Sequence, residues 1–248
     1  MSKWVTAKVI TLKKWTNNLF SIILHAPISS FTAGQFAKLS FKNEENIQRA
    51  YSYVNAPDNP NLEFYIVLMP TGKMTHSLYQ LIPNDEILIT KEASGFFTLD
   101  DIPSCKNLWM LATGTGIGPY FSILQDQGHV FKKFKNVILV HAVRYASELN
   151  YTSLIKNLEK QYYGKFYFQT IVSREIKKNA LTGRIPELLK NKTIEEKIGL
   201  KLNANSSHVM LCGNPNMIKD TQKLLLDTRN MHKNLRRKPG HITSENYW

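Results

Sequence analysis

Residues 109–119 read WMLATGTGIGP. An apolar run ends in Gly114, Gly116 and Gly118, and Pro119 follows. The pattern predicts a buried strand, a tight turn and a helix, because proline is favoured in the first helical turn, where its missing N–H costs nothing. Glycines let a ligand approach the backbone, and a helix N-terminus favours a phosphate. The spacing is not G-x-G-x-x-G, since with Gly114 and Gly116 as the first two glycines the last position is Pro119, and no Lys-Ser/Thr follows to make a P-loop. An ordinary strand–helix turn has the same pattern, so this stretch alone leaves a binding role open.

Outward from it, residues 108–111, 137–140, 166–172 and 209–211 are short apolar runs that read as buried parallel strands. Helical patterns separate them. Tyr151, Leu154, Ile155, Leu158 and Tyr162 follow helical spacing, as do Met217, Thr221, Leu224 and Leu225. Strand–helix alternation predicts a doubly wound α/β domain. Upstream the period changes. Phe20, Ile22 and Leu24 alternate in LFSIILH, and Leu62, Phe64, Ile66 and Leu68 in LEFYIVL. Residues 4–12 and 86–90 are further strands, Gly, Pro and Asn-Asp turns punctuate them, and a short helix is predicted over 75–81. Such spacing suggests an antiparallel sandwich or barrel. The character shifts within residues 95–106, which divides the chain into domains 1–100 and 101–248.

In open α/β sheets, ligands bind beyond the carboxyl ends of the strands. Arg144 and Arg174 fall at two such ends, Ser173 beside the second, and Arg184 at a predicted helix start. Arginines in that setting suit a phosphate monoester, although any one alone also reads as a solvated surface residue. Cys212 ends the last strand, and Asn214 and Pro215 turn into the final helix. Free cysteines are most often buried small apolar residues. In RAYSYV, residues 49–54, Arg49 and Tyr51 share a strand face beside Ser52, a grouping that could hold a diphosphate and stack a flat ring. Gly72 and Thr75 open the short helix, a second place for a phosphate.

Composition sets the bounds. A chain of 248 residues with 43% hydrophobic content can form two globular domains. Cys105 and Cys212 fit neither a disulfide framework nor a zinc site, and no metal is expected. The start resembles no secretory signal, and no stretch suits a membrane span, so a cytoplasmic protein is expected. The net charge of +13 invites nucleic acid, an anionic membrane, a polyphosphate cofactor or an acidic protein.

Taken together, R-x-Y-S at 49–52, the later G-x-x-T at 72–75, G-T-G-x-G-P at 114–119 and C-G-x-x-x-M at 212–217 resemble the ferredoxin–NADP reductase family, in particular its bacterial ferredoxin/flavodoxin–NADP reductases, over essentially the whole chain. The resemblance implies an N-terminal antiparallel β-barrel that binds FAD and a C-terminal α/β doubly wound parallel sheet that binds NADP(H). It implies that hydride from NADPH reduces FAD and that electrons pass singly to an acidic ferredoxin or flavodoxin. A monomer is expected, with neither nucleic acid nor membrane as partner.

By the same resemblance Arg49, Ala50, Tyr51 and Ser52 meet FAD, Tyr51 on one flavin face and Ser52 near its reactive nitrogen. Tyr65, Lys73, Met74, Thr75 and Thr115 complete that cradle. Val143, Arg144, Ser173, Arg174 and Arg184 serve the adenosine 2′-phosphate side of NADPH, and Asn214, Pro215, Asn216 and Asp220 line the rest. Ser52, Cys212 and Tyr247 form the catalytic set. Cys212 helps place the nicotinamide, Tyr247 covers the other flavin face, and Trp248 reaches the FAD adenine. Plant-type relatives end at the tyrosine, and their terminal acid has a counterpart in Glu245. The acid-free run 229–241, with Arg229, Lys233, Arg236, Arg237 and Lys238, supplies a docking charge. Two alternatives stand beside this: an NADH- or oxygen-linked flavin reductase of the same fold, and a basic nucleic-acid-binding module built on LRRKPGH.

Overall fold

The computed structural model describes residues 3–42 and 47–247. They form two compact units, Met1–Leu99 with Gly118–Gln127, and Asp100–Ile117 with Gly128–Trp248.

The first unit is built on β1 (Trp4–Lys14), β2 (Leu19–His25), β3 (Phe36–Ser40), β4 (Arg49–Ser52), β5 (Leu62–Val67) and β6 (Glu86–Thr90), with α1 (Lys73–Tyr79) between β5 and β6. The sheet order is β4-β3-β6-β1-β2-β5, with antiparallel pairing throughout. The two end strands meet through a Tyr53–Phe64 bridge and a 2.9 Å bond from the Val54 N–H to the Glu63 carbonyl, which rolls the sheet into a barrel. Alternation does what it predicts: Phe20, Ile22, Leu24, Phe64 and Ile66 are all buried in one core. Helix α2 (Gly118–Gln125) belongs to this unit although the glycine turn of the other unit opens it. The Ser122 hydroxyl donates to the Asn55 carbonyl at 2.7 Å, and the Gln125 amide to the Val54 carbonyl at 3.0 Å.

The second unit holds β7 (Asn107–Thr113), β8 (Asn136–Val143), β9 (Phe166–Val172), β10 (Leu181–Thr182), β11 (Ser207–Gly213) and β12 (Ile242–Asn246). The order is β10-β9-β8-β7-β11-β12, all parallel. Helices α3 (His129–Lys133), α4 (Thr152–Gln161), α5 (Ile185–Lys190), α6 (Thr193–Ile198) and α7 (Pro215–Arg229) complete it. Every residue of β8 and β11 is buried, which is why these strands read as unbroken apolar runs. Tyr151 and Tyr162 lie just outside α4, and the Tyr162 ring stacks on Phe131 at 3.6 Å. The stretch 242–246, expected only as a returning tail, is an edge strand in register with β11.

Arg229 departs from its expected place in an exposed basic run. Its guanidinium lies 2.6 Å from Glu195, both side chains being only 13% and 10% exposed, and it also donates to the carbonyls of Leu202 and Leu189. It fastens α7 to α5 and α6. Among the described residues no helix is long and apolar enough to cross a membrane.

Candidate functional site

On the parallel-sheet unit, β8, β9 and β10 run side by side, with Val143 opposite Val172 and Val172 opposite Thr182. Arg144, Ser173, Arg174 and Arg184 follow these ends, and all are exposed. Backbone bonds keep the ends in step. The Arg174 N–H donates to the Arg144 carbonyl at 3.0 Å, and the Ser173 N–H and hydroxyl donate to the Val143 carbonyl at 3.0 and 3.2 Å. Among the described residues none of these three arginines is in an ion pair.

Two nearby carboxylates escaped the sequence reading, and both are occupied by backbone. Glu148 accepts from the N–H groups of Arg144 and Tyr145 at 2.9 and 3.4 Å, and Glu175 from that of Ala146. Tyr145 was missed as well. It is 42% exposed, with the Arg174 guanidinium 5.8 Å from its ring centre.

The glycine turn follows β7 as a single 3-10 turn over Gly114–Ile117. Gly114 has φ +55°, and a Cβ there would meet nothing within 4 Å, so its open side could admit a ligand. Gly116 is the reverse: a Cβ would fall 2.7 Å from the Cys212 carbonyl oxygen, so only glycine lets the turn close on β11. The Thr113 hydroxyl accepts from the Asn214 N–H at 2.8 Å. The Asn214 side chain caps α7 by accepting from Asn216 and Met217 at 2.9 and 3.2 Å, which is the usual office of asparagine at that position. Pro215 opens that helix, Asp220 is exposed on it, and Thr115 is buried in the glycine turn.

Cys212 pairs with Ala112 on one side and Glu245 on the other. Burial pushes its thiol well up, the Glu245 charge adds to this, and a side-chain hydrogen bond with Tyr247 opposes it. The Tyr247 N–H donates to the Gly213 carbonyl at 2.9 Å. Trp248 lies outside the described residues.

On the barrel unit, Arg49 and Tyr51 share a face of β4. Arg49 is exposed and donates to its neighbour's carbonyl at 2.9 Å. Tyr51 is half-buried, and desolvation raises its hydroxyl to about 12 despite the opposing Arg49 charge. Ala50 is exposed and Ser52 buried. Tyr65 is buried edge-on to Trp15, with ring centres 6.5 Å apart. Lys73 is exposed, whereas Met74 lies in the barrel core. The Thr75 hydroxyl donates to the Gly72 carbonyl and accepts from the Met69 N–H, at 2.9 and 3.1 Å, which closes the turn that opens α1.

These residues fit the two groups the sequence implies. A half-buried ring beside an exposed guanidinium suits a flat heterocycle carrying a diphosphate. Three arginines free of carboxylates, beside a turn with an open glycine, suit a phosphorylated dinucleotide. Among the described residues no cluster of three or more His, Cys, Asp or Glu side chains is placed to hold a metal ion.

Comparison with known proteins agrees with both halves. Residues 9–96 match the oxidoreductase FAD-binding domain and residues 110–223 the oxidoreductase NAD-binding domain. A flavodoxin/ferredoxin–NADP reductase of Buchnera aphidicola subsp. Schizaphis graminum is 58% identical over 259 residues, covering 100% of both chains. The Escherichia coli (strain K12) protein of the same name is 56% identical over 249 residues, again covering 100% of each. A crystal structure of a ferredoxin NADP+ reductase from Neisseria gonorrhoeae with bound FAD and NADP superposes with a TM-score of 0.93 at 36% identity, over 99% of either chain. With full-length identity above one half and both domain types in order, the chain belongs to the flavodoxin/ferredoxin–NADP reductase family.

Proposed function

We propose that this chain carries electrons between NADPH and a ferredoxin or flavodoxin, using FAD as the intermediate store. The observation that carries the reading is the row of Arg144, Ser173–Arg174 and Arg184 at three adjacent parallel strand ends, with no carboxylate paired to any of the arginines among the described residues. Such a row selects a phosphate on the ribose, whereas an NAD site favours an acid that bonds the free hydroxyl.

Bound FAD supplies an acceptor for a hydride and a means of passing two electrons on one at a time. The protein supplies position. Arg49 holds the FAD diphosphate, Tyr51 lies against the flavin, and Ser52 approaches its reacting edge. Ala50, Tyr65 and the opening of α1 at Lys73, Met74 and Thr75 support the rest, with Thr115 contributing from the glycine turn. Val143 shapes the adenosine pocket, and Asn214, Pro215, Asn216 and Asp220 line the path toward the nicotinamide. Cys212 is held as a neutral thiol by burial and offers a small, polarisable surface against that ring. Tyr247 would lie over bound FAD, and it would have to move aside for a nicotinamide ring to approach closely.

A net charge of +13 suits an acidic carrier, a single chain is taken as the working unit, and the two free cysteines suit a reducing cytoplasm. Steady-state kinetics test the reading. Arg174→Ala should raise KM for NADPH about ten- to a hundredfold, the worth of one charge-assisted bond, and leave NADH nearly unchanged. Equal losses with both nucleotides would remove the 2′-phosphate assignment. A purified protein without flavin absorbance, and unable to take up FAD, would remove the function.

A further inference from the structure

His141 is the sixth residue of β8, in the sequence VILVHAV, where the strand is buried from end to end. Its register partners are Ala112 on β7 and Thr170 on β9. The imidazole is 2% exposed, and among the described residues it makes one hydrogen bond: Nε2 lies 2.9 Å from the carbonyl oxygen of Gly114. A carbonyl only accepts, so Nε2 carries the proton. Nδ1 is then a buried acceptor with no hydrogen-bond partner among the described residues. Burial pushes the ring's ionisation down to about 4, so it is neutral at ordinary pH.

A buried acceptor left unpaired is destabilising. An apolar side chain of similar size would fill this place in the sheet without that cost. What the imidazole adds is the bond to Gly114, the residue whose φ of +55° and open side begin the glycine turn. The turn is already fixed at its flank, where Gly116 meets the Cys212 carbonyl. His141 fixes its first peptide. Peptides here are trans, so a carbonyl drawn toward His141 turns the N–H of Thr115 to the opposite side of the same plane.

We infer that His141 is a positioning residue for the nucleotide site: through its Nε2–H it sets the Gly114–Thr115 peptide so that the turn presents its backbone to a phosphate of NADP(H). The inference rests on the reading of this turn as part of the NADP(H) site.

Two variants of nearly equal size separate the bond from the packing. His141→Gln keeps an amide N–H on a chain that can reach the carbonyl, and His141→Met has none. For FAD-loaded wild type and both variants, NADP+ affinity is measured by calorimetric titration and stability by thermal unfolding. Exchange of the Thr115 amide is followed by mass spectrometry. His141→Met should bind NADP+ about tenfold more weakly, the effect of one buried bond. Its unfolding midpoint should be unchanged or higher, since the bare Nδ1 is gone, and its Thr115 amide should exchange faster. His141→Gln should recover affinity to within about threefold. Wild-type affinity in His141→Met, or equal weakening in both variants with lowered midpoints, would overturn the inference. If wild type itself bound no NADP+, the reading of the turn would fail, which is a separate result. Should His141→Met not fold, His141→Leu takes its place against the same glutamine.

Discussion

Among its described residues the barrel unit buries hydroxyls and one amide: Ser21, Ser40, Ser52, Thr75 and Ser122 are typical, and Asn55 is the amide. The parallel-sheet unit buries His141, His208 and Glu195 as well. Topology explains the contrast. An antiparallel barrel has one wet face, so a charged residue on a strand can look outward, as Arg49 does. The central strands of a parallel sheet are covered on both faces, so His141 on β8 and His208 on β11 go inside and need partners there, whereas Glu195 sits on α6 and is buried against Arg229. The same kind of site chemistry is therefore mounted on the surface of one unit and braced from beneath in the other.

The largest test compares two ion pairs of almost equal length. Arg229–Glu195 is 2.6 Å long and buried, and Lys42–Glu86 is 2.7 Å long with both side chains more than half exposed. Arg229→Met strands a buried carboxylate and should cost about 3–5 kcal/mol in urea unfolding. Lys42→Met should leave the midpoint unresolved from wild type, since exposed pairs lose to solvent what they gain from each other. Similar shifts for the two would break the contrast.

Acid should separate the units next. Burial holds His141 at about 4, and His208 at about 4 with help from the His241 charge. Both are depressed from 6.5, so the unfolded chain binds more protons between these values, and stability must fall as pH drops through that window. The slope is about 1 kcal/mol per pH unit for each fully buried histidine. Urea midpoints from pH 7 to pH 5 check it. His141→Met should flatten the profile by about half; an unchanged slope would mean that this ring is hydrated in the native state.

Much of this was legible in advance, and the failures share a cause. Strands β6 and β9 fall where the sequence placed them, since apolar alternation or an apolar run marks each. Arg144 and Arg174 could be placed because the ends of apolar strands are legible, and Arg184 because a helix start is, where it stands as the residue before α5. Strand β12 was not: ITSEN has one buried residue and no pattern, and only its register with β11 makes it a strand. Two-residue β10 carries no period at all. Arg229 and Glu195 are 34 positions apart, so their pairing has no local signature and Arg229 read as surface charge. His141 sits in an apolar run, where nothing in the sequence distinguishes a core filler from a brace.

A third prediction concerns the barrel's exposed chemistry. Among the described residues the Arg49 guanidinium donates only to the neighbouring Gln48 carbonyl, so in Arg49→Ala the apoprotein should unfold as wild type does. FAD should bind about ten- to a hundredfold more weakly, the effect of losing a charge-assisted bond to a diphosphate. Titration of apoprotein with FAD measures the second, and thermal unfolding of apoprotein the first. A drop in apoprotein stability would put Arg49 in the class of Arg229 and erase the distinction between the units. Full FAD affinity would take Arg49 out of the site.

The smallest effect should come from the one part of the parallel-sheet unit that behaves like barrel surface. Leu235 and Lys238 exchange backbone bonds of 3.0 and 2.8 Å, which leaves Arg236 and Arg237 at the tip of a two-residue turn, both exposed. Asn234 anchors the base, donating to the Asp101 carbonyl and accepting from the Gly240 N–H, each at 2.8 Å. A rigid stem with two free guanidiniums is suited to steering, and steering changes association rates more than bound-state energies. Arg236→Glu with Arg237→Glu should slow reduction of an acidic flavodoxin several-fold at low ionic strength, with the difference shrinking as salt rises above about 0.1 M. NADPH reduction of a small neutral acceptor, FAD content and the unfolding midpoint should not move, because neither arginine touches the core. Stopped-flow traces at several salt concentrations decide it. Salt-independent slowing would indicate a bonded contact rather than steering, and no slowing would remove this turn from the path of the carrier.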